Sequence, residues 1–181
     1  MAKVYIVFAD GVEEIEGLTA VDVLRRGGLD VVMVSVTGSQ SVHGSHGIVF
    51  ETDVLFEEQD FSDGDMLVLP GGGQGTQALA AHTGLRELIL SYQAEGRYLA
   101  AICAAPSVLG MNGVLRGKRA TCYPGFEDKL LGADATGESV VRAGKVITGK
   151  GMGVAVDFAI ELLRAFDEKK AKEVAEAIQM K

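Results

Sequence analysis

The sequence predicts an α/β sandwich: a mainly parallel central sheet with helices on both faces. Three observations carry this expectation. Short runs rich in Val, Ile and Leu recur along the chain, each closed by Gly or Pro. Within these runs consecutive residues are apolar, as in strands buried on both faces. Between the runs lie segments with an apolar residue every three or four positions, the period of a one-sided helix.

The elements follow in order. Lys3–Phe8 (KVYIVF) reads as the first strand. Glu14–Arg26 reads as a helix, with Ile15, Leu18, Val21 and Leu24 on one stripe and Gly27–Gly28 as its stop. Asp30–Val36 is a second strand. Ser41–Phe56 has shorter, polar-interrupted runs, which suit a small hairpin and an edge strand. Asp65–Leu69 is a strand cut off by PGGG. Gly84–Glu95 carries Leu85, Leu88, Ile89 and Tyr92 on one helical stripe. Arg97–Ile102 is a strand that ends at a cysteine. Val146–Thr148 is a strand ending in GKGMG, and Val154–Phe166 a helix. Glu168–Met180 is an amphipathic helix with a charged outer face. No linker, repeat or low-complexity stretch divides the chain, so a single domain over residues 1–181 is expected.

Composition narrows the function classes. The net charge is −8, which argues against nucleic acid as a partner. Two cysteines in 181 residues make no disulfide framework. No apolar run approaches the roughly 18 residues of a membrane span, and the N-terminus lacks a secretory pattern. A soluble cytoplasmic protein without a membrane partner is expected.

In parallel sheets ligands gather at the carboxyl ends of the strands. Three segments fall there: Ala9–Glu16, Pro70–Gly75 and Cys103–Pro106. If a strand ends at Ile102 and a helix opens at Ala104, Cys103 occupies a sharp turn like a nucleophile elbow, with the small Ala101, Ala104 and Ala105 around it. A helix N-terminus there would lower the pKa of the thiol. A free cysteine is equally a common apolar filler, and the local sequence leaves both readings open. LPGGGQGT lacks the Lys and Ser/Thr of a phosphate loop and the full dinucleotide fingerprint. Its Gly72 amide, with that of Ala104, can form an oxyanion hole. In DGVEEIEGL, Glu13 and Glu14 suit the helix N-terminus electrostatically. Glu16 is turned about 100° from Ile15; pushed toward the sheet edge it would be desolvated and its pKa raised. His82 is expected to be exposed. His43 and His46 lie three apart, but no third ligand accompanies them, and Cys103 and Cys122 form no CxxC pair. Neither a metal nor another cofactor is expected.

Taken together, GVEEIEGLTAVDVLRRGG, VLPGGGQGT, AAICAAPSVL, YPGFEDKL and TGKGMGVAVDFAIELL resemble the ThiJ/PfpI superfamily over essentially the whole chain. The resemblance is to its deglycase and redox-sensor branch, which holds the parkinsonism-linked human protein and YajL-like bacterial proteins. It implies a flavodoxin-like sandwich, usually a homodimer. It implies Cys103 as nucleophile, Glu16 as the acid that shares its proton, and Gly72 and Ala104 as oxyanion donors. It also implies action on methylglyoxal or its adducts with small molecules and proteins, or peroxide sensing and chaperone activity.

The sequence departs from that branch at several places. Tyr123 stands where the human member has a histidine near the nucleophile, so a Cys–His peptidase triad lacks its base. His46 replaces a basic residue of the early hairpin, which weakens an anion pocket that Arg26 would share across the dimer. Gly44 and Glu51 replace the hairpin cysteines. Lys150 and Met152 replace an Arg and a Pro beside the site. Arg26, His46, Tyr123 and Met152 are therefore the candidate pocket residues.

Overall fold

Val4, Ile6 and Phe8 face one way along the first strand, and Tyr5 and Val7 the other; all five are fully buried. This two-sided burial fixes a sheet covered by helices on both faces. The computed structural model, which describes residues 1–180, shows that arrangement. In chain order the first half comprises β1 (Lys3–Phe8), α1 (Glu14–Arg26), β2 (Asp30–Ser35), β3 (Ser41–His43), β4 (Val49–Glu51), β5 (Val54–Leu55), β6 (Met66–Leu69), α2 (Gly73–Ala81) and α3 (Thr83–Ala94). The second half comprises β7 (Tyr98–Ile102), α4 (Pro106–Met111), β8 (Arg119–Ala120), β9 (Asp134–Ala135), β10 (Val140–Ala143), β11 (Val146–Gly149), α5 (Ala155–Arg164) and α6 (Glu168–Ala177).

The central sheet has the order β10-β11-β7-β6-β1-β2-β5. All its pairings are parallel except β10 with β11. The five long parallel strands β2, β1, β6, β7 and β11 follow the doubly wound order of flavodoxin-like folds, whose direction of winding switches between β1 and β6. Helices α1 and α5 contribute Val21, Leu24, Phe158 and Leu162 to one face, and α6 adds Ala171 and Val174 outside them. Helices α3 and α4 cover the other face with Leu85, Ile89, Val108 and Leu109. No helix among the described residues is long and apolar enough to cross a membrane.

The expected elements are present, with ends shifted by one to a few residues. The hairpin is β3–β4, and the edge strand is β5 against β2. Four elements were not anticipated: the short pair β8–β9, and α2 and β10. Helix α2 opens with three glycines in its first four positions, counting the cap; its sequence reads as a turn, but Gly75 packs directly on Gly11 and Val12. Strand β10 is joined to β11 by Gly144–Lys145, with Gly144 at φ 64°, a two-residue hairpin turn. On the predicted α1 stripe, Val21 and Leu24 are buried but Ile15 is 50% exposed. His82 is not a solvated residue: it caps α3, its Nδ1 accepting from the Leu85 amide at 3.0 Å.

Phe158 closes the layer beneath the ends of β7 and β11, where Gly149 and Ile102 lie against it. Phe158→Ala is expected to cost about 3–5 kcal/mol, measured by urea unfolding. A loss below about 1 kcal/mol would show that the layer closes by itself.

Candidate active site

Three strand ends converge at the switch point. The α1 side of β1 brings Glu16, the end of β6 brings Gly71 and Gly72, and the end of β7 brings Cys103. Cys103 has φ 66°, one of two non-glycine residues with positive φ among those described. Such a conformation costs about 1–3 kcal/mol and persists only where its surroundings enforce it. The surroundings here are specific. The Cys103 N–H donates to Gly149 at 2.9 Å, and its carbonyl accepts from the Tyr123 N–H at 2.7 Å. Ser107 Oγ donates to the Ala104 carbonyl at 2.6 Å and ties the elbow to the first turn of α4. Helix α4 opens at Pro106, two residues later than the sequence suggests, so Cys103 to Ala105 form the turn itself.

Glu16 is 1% exposed, although it follows the outward-facing Ile15. Its Oε2 accepts from the Gly71 N–H at 2.9 Å. Its Oε1 has no hydrogen-bond partner. A Cβ on Gly71 would stand 2.5 Å from Glu16 Oε2 and 2.6 Å from the Cys103 Cβ. Glycine is therefore required for carboxyl and thiol to share this space. Gly72, at φ 96°, turns its peptide toward the sulfur, and a side chain there would collide with the Gly11 carbonyl and the Glu13 amide.

Burial pushes Glu16 up to about 7 and the Glu13 charge adds to the shift, while hydrogen bonds from Cys103 and the Gly71 N–H act against it. Burial also pushes the Cys103 thiol up to about 12. The Glu16 charge and the hydrogen bond between the two groups add to this, and the Gly72 and Ala104 N–H groups oppose it. The sign is opposite to the sequence expectation of a thiol lowered by a helix dipole. Helix α4 has only six residues and starts late, and burial outweighs its first N–H groups. Between these two values the pair holds one proton and one negative charge. Two N–H groups face the sulfur and one faces the carboxyl; the lower value belongs to Glu16, so in that range the carboxylate carries the charge and the thiol the proton.

The other candidate residues separate into three places. Tyr123 and Met152, both about half exposed, line one cleft of about 310 Å³ with Pro124, Gly151 and Val154. That cleft borders the elbow through the Tyr123–Cys103 backbone bond. His46 lies on the β3–β4 loop, with its Nδ1 at 3.2 Å from Glu14 and 3.4 Å from Glu13. Arg26 pairs with Asp22 at 2.7 Å in its own helix. It lies ten positions beyond Glu16, about 15 Å along α1, and the chain alone does not bring it to the thiol.

Glu14 sits in the first turn of α1 as the sequence suggests, but it has a second role that the sequence does not show. It is buried. Its Oε1 accepts from the His46 N–H at 2.7 Å and the Ile48 N–H at 3.4 Å. Burial opposes its charge, but its own N–H, those of His46 and Ile48, and the His46 ring hold it down at about 2. Nothing local marks this role, because its partners lie 32 and 34 residues away.

A doubly wound α/β sandwich with a strained cysteine elbow, a buried glutamic acid and an aimed glycine turn defines a flavodoxin-like protein with a Cys–Glu site. The chain belongs to the DJ-1/PfpI family, whose model matches residues 2–165. It is 38% identical over 182 residues to Protein DJ-1 homolog B of Arabidopsis thaliana, covering 99% of this chain and 42% of the relative; it thus spans less than half of that protein. It is 32% identical over 157 residues to a Caenorhabditis elegans protein named glutathione-independent glyoxalase DJR-1.2, covering 86% of this chain and 83% of the relative. Its fold matches oxidized Toxoplasma gondii DJ-1 with a TM-score of 0.95 at 31% identity, covering 99% and 98% of the two chains.

The pKa of Glu16 has a consequence for stability. The folded protein keeps the Glu16 proton up to about 7, whereas an ordinary glutamic acid releases it at 4.5. Between those values the folded state binds more protons, so stability falls as pH rises. About 3 kcal/mol is lost across this window, and Glu16→Gln should flatten the decline. Denaturant unfolding from pH 4 to 8 measures it; parallel curves for the two proteins would refute the assignment.

Proposed function

We propose that the protein is a glutathione-independent glyoxalase or protein deglycase, acting on methylglyoxal or its adducts through Cys103 and Glu16. One observation carries this reading: the Cys103 side chain and the buried Glu16 carboxyl meet across Gly71, beside the Gly72 and Ala104 N–H groups. The family relative named as a glutathione-independent glyoxalase supports it.

The chemistry follows from the site. As the Cys103 sulfur adds to the aldehyde carbon, its proton passes to the Glu16 carboxylate and from there to the aldehyde oxygen, giving a hemithioacetal. The Gly72 and Ala104 amides stabilise the charge that develops on that oxygen. Glu16, ionised by this proton transfer, removes the C1 proton and returns it to C2, while the hydroxyl proton passes from the C1 oxygen to the C2 oxygen through the enediol. The hemithioacetal becomes a lactoyl thioester with no external oxidant. Water cleaves the thioester, releasing lactate and restoring the thiol. The apolar cleft at Tyr123 and Met152 suits the methyl end of such a substrate.

A second reading rests on a different detail. Glu16 Oε1 is buried without a hydrogen-bond partner, and the carboxyl, once protonated, can donate to the oxygens of an oxidised cysteine. Peroxide sensing would use the same residues. A peptidase reading lacks a base: His43, His46 and His82 lie on the hairpin and at the start of α3, and Tyr123 faces the cleft.

The homodimer belongs to this proposal as well. Ile15, Ile48 and Val156 are exposed around a groove of about 840 Å³ that also holds Arg26 and Ile178. Apolar exposure of that kind marks an association surface.

Two outcomes are expected. Cys103→Ser and Glu16→Gln should each lower methylglyoxal turnover by at least about 100-fold, followed as D,L-lactate release by highly purified protein. Turnover equal to wild type in Cys103→Ser would end the enzymatic reading. Ile15→Glu should convert a dimer to a monomer in light scattering; an unchanged mass would remove α1 from the interface.

A further inference from the structure

We propose that Glu13, Glu14 and His46 form a binding site for a divalent transition ion of the zinc type, on the rim of the Cys103 site. The sequence gives no hint of it, because the two histidines of the hairpin have no third ligand near them in the chain. Folding supplies two carboxylates instead. His46 Nδ1 lies 3.2 Å from Glu14 Oε2 and 3.4 Å from Glu13 Oε2, and the three donors fall within 4.8 Å of one another. Ligands at zinc's usual 2.0–2.2 Å, arranged tetrahedrally, stand about 3.4 Å apart. Both distances from the His46 nitrogen already match that spacing, and the two carboxylate oxygens lie within 4.8 Å of each other.

Their support is in place too. The buried Glu14 uses Oε1 to accept from the His46 and Ile48 N–H groups, which leaves Oε2 for an ion. Outer contacts of this kind orient a metal-binding carboxylate. The Glu13 N–H donates to the Gly71 carbonyl at 3.0 Å, which ties this end of the site to the catalytic turn. Ser45 Oγ, 3.0 Å from His46 Nδ1 and 3.4 Å from Glu14 Oε2, adds a neutral oxygen at similar spacing. The imidazole selects a transition ion over calcium or magnesium. The side chain of His46 is 68% exposed, so the ion can enter from solvent and keep a water ligand.

The same contacts also suit a protonated His46 paired with two carboxylates, and the experiment separates the alternatives. It uses the full chain carrying Cys103→Ser, so that the thiol does not compete for metal. Zinc is titrated by calorimetry, and cobalt by its visible absorption. One ion per chain is expected, with a Kd in about the micromolar range. Adding His46→Gln or Glu13→Gln should each weaken binding by at least about tenfold; both changes lie near the surface, and melting without metal checks the fold. No binding up to about 1 mM zinc, or binding undiminished in both variants, would overturn the proposal. Failure leaves the glyoxalase reading intact, since that reading is tested by turnover at Cys103.

Discussion

Glu16 and Cys103 belong to different strand–helix units and meet only because Gly71 has no side chain. With a Cβ there, either the carboxyl or the thiol would have to withdraw. The contact has large electrostatic consequences. A buried carboxyl and a half-buried thiol lie together, and the pair holds a single proton between about 7 and about 12. Much of the surrounding architecture keeps that arrangement fixed. The positive φ of Cys103 is enforced by β11 and by the Tyr123 segment, each bonding one side of its peptide. The Gly72 turn is pressed between the Gly11 and Glu13 backbones.

The topology explains why these groups come together at all. In a doubly wound sheet the loops diverge on either side of the switch point and leave a crevice. Here β1 and β6 border that point, and β7 is the next strand. Glu16 and the glycine turn enter from the two bordering strands, and Cys103 from the third. The elbow therefore meets its acid partner across one glycine peptide.

Glu14 extends this order outward. By accepting the amides of His46 and Ile48, it fastens the β3–β4 loop to the start of α1. That loop lies against the Asp10–Glu14 segment, since Ser45 donates to the Val12 carbonyl and Gly11 to the His43 carbonyl. A short hairpin with little core of its own is thus held in place by polar contacts, and it presents His46 to the rim.

The sequence by itself determined the layered fold and the three strand ends that matter. Consecutive apolar residues define buried strands, and a three-to-four repeat defines helices, whatever the rest of the chain does. The Ala residues around Cys103 marked an elbow, because only small residues tolerate such a turn. Family motifs singled out Glu16, whose spacing alone showed only that it need not follow Ile15 outward. Four things were decided by tertiary structure. The upward shift of the thiol depends on burial and on a charge contributed by another strand unit. The second role of Glu14 depends on amides more than thirty residues away. Helix α2 forms through a glycine-to-glycine approach that local propensity opposes. The exposure of Ile15 on an otherwise core-facing stripe depends on which neighbours cover α1. In each case the deciding interaction joins residues distant in the chain, and no local pattern encodes such a meeting.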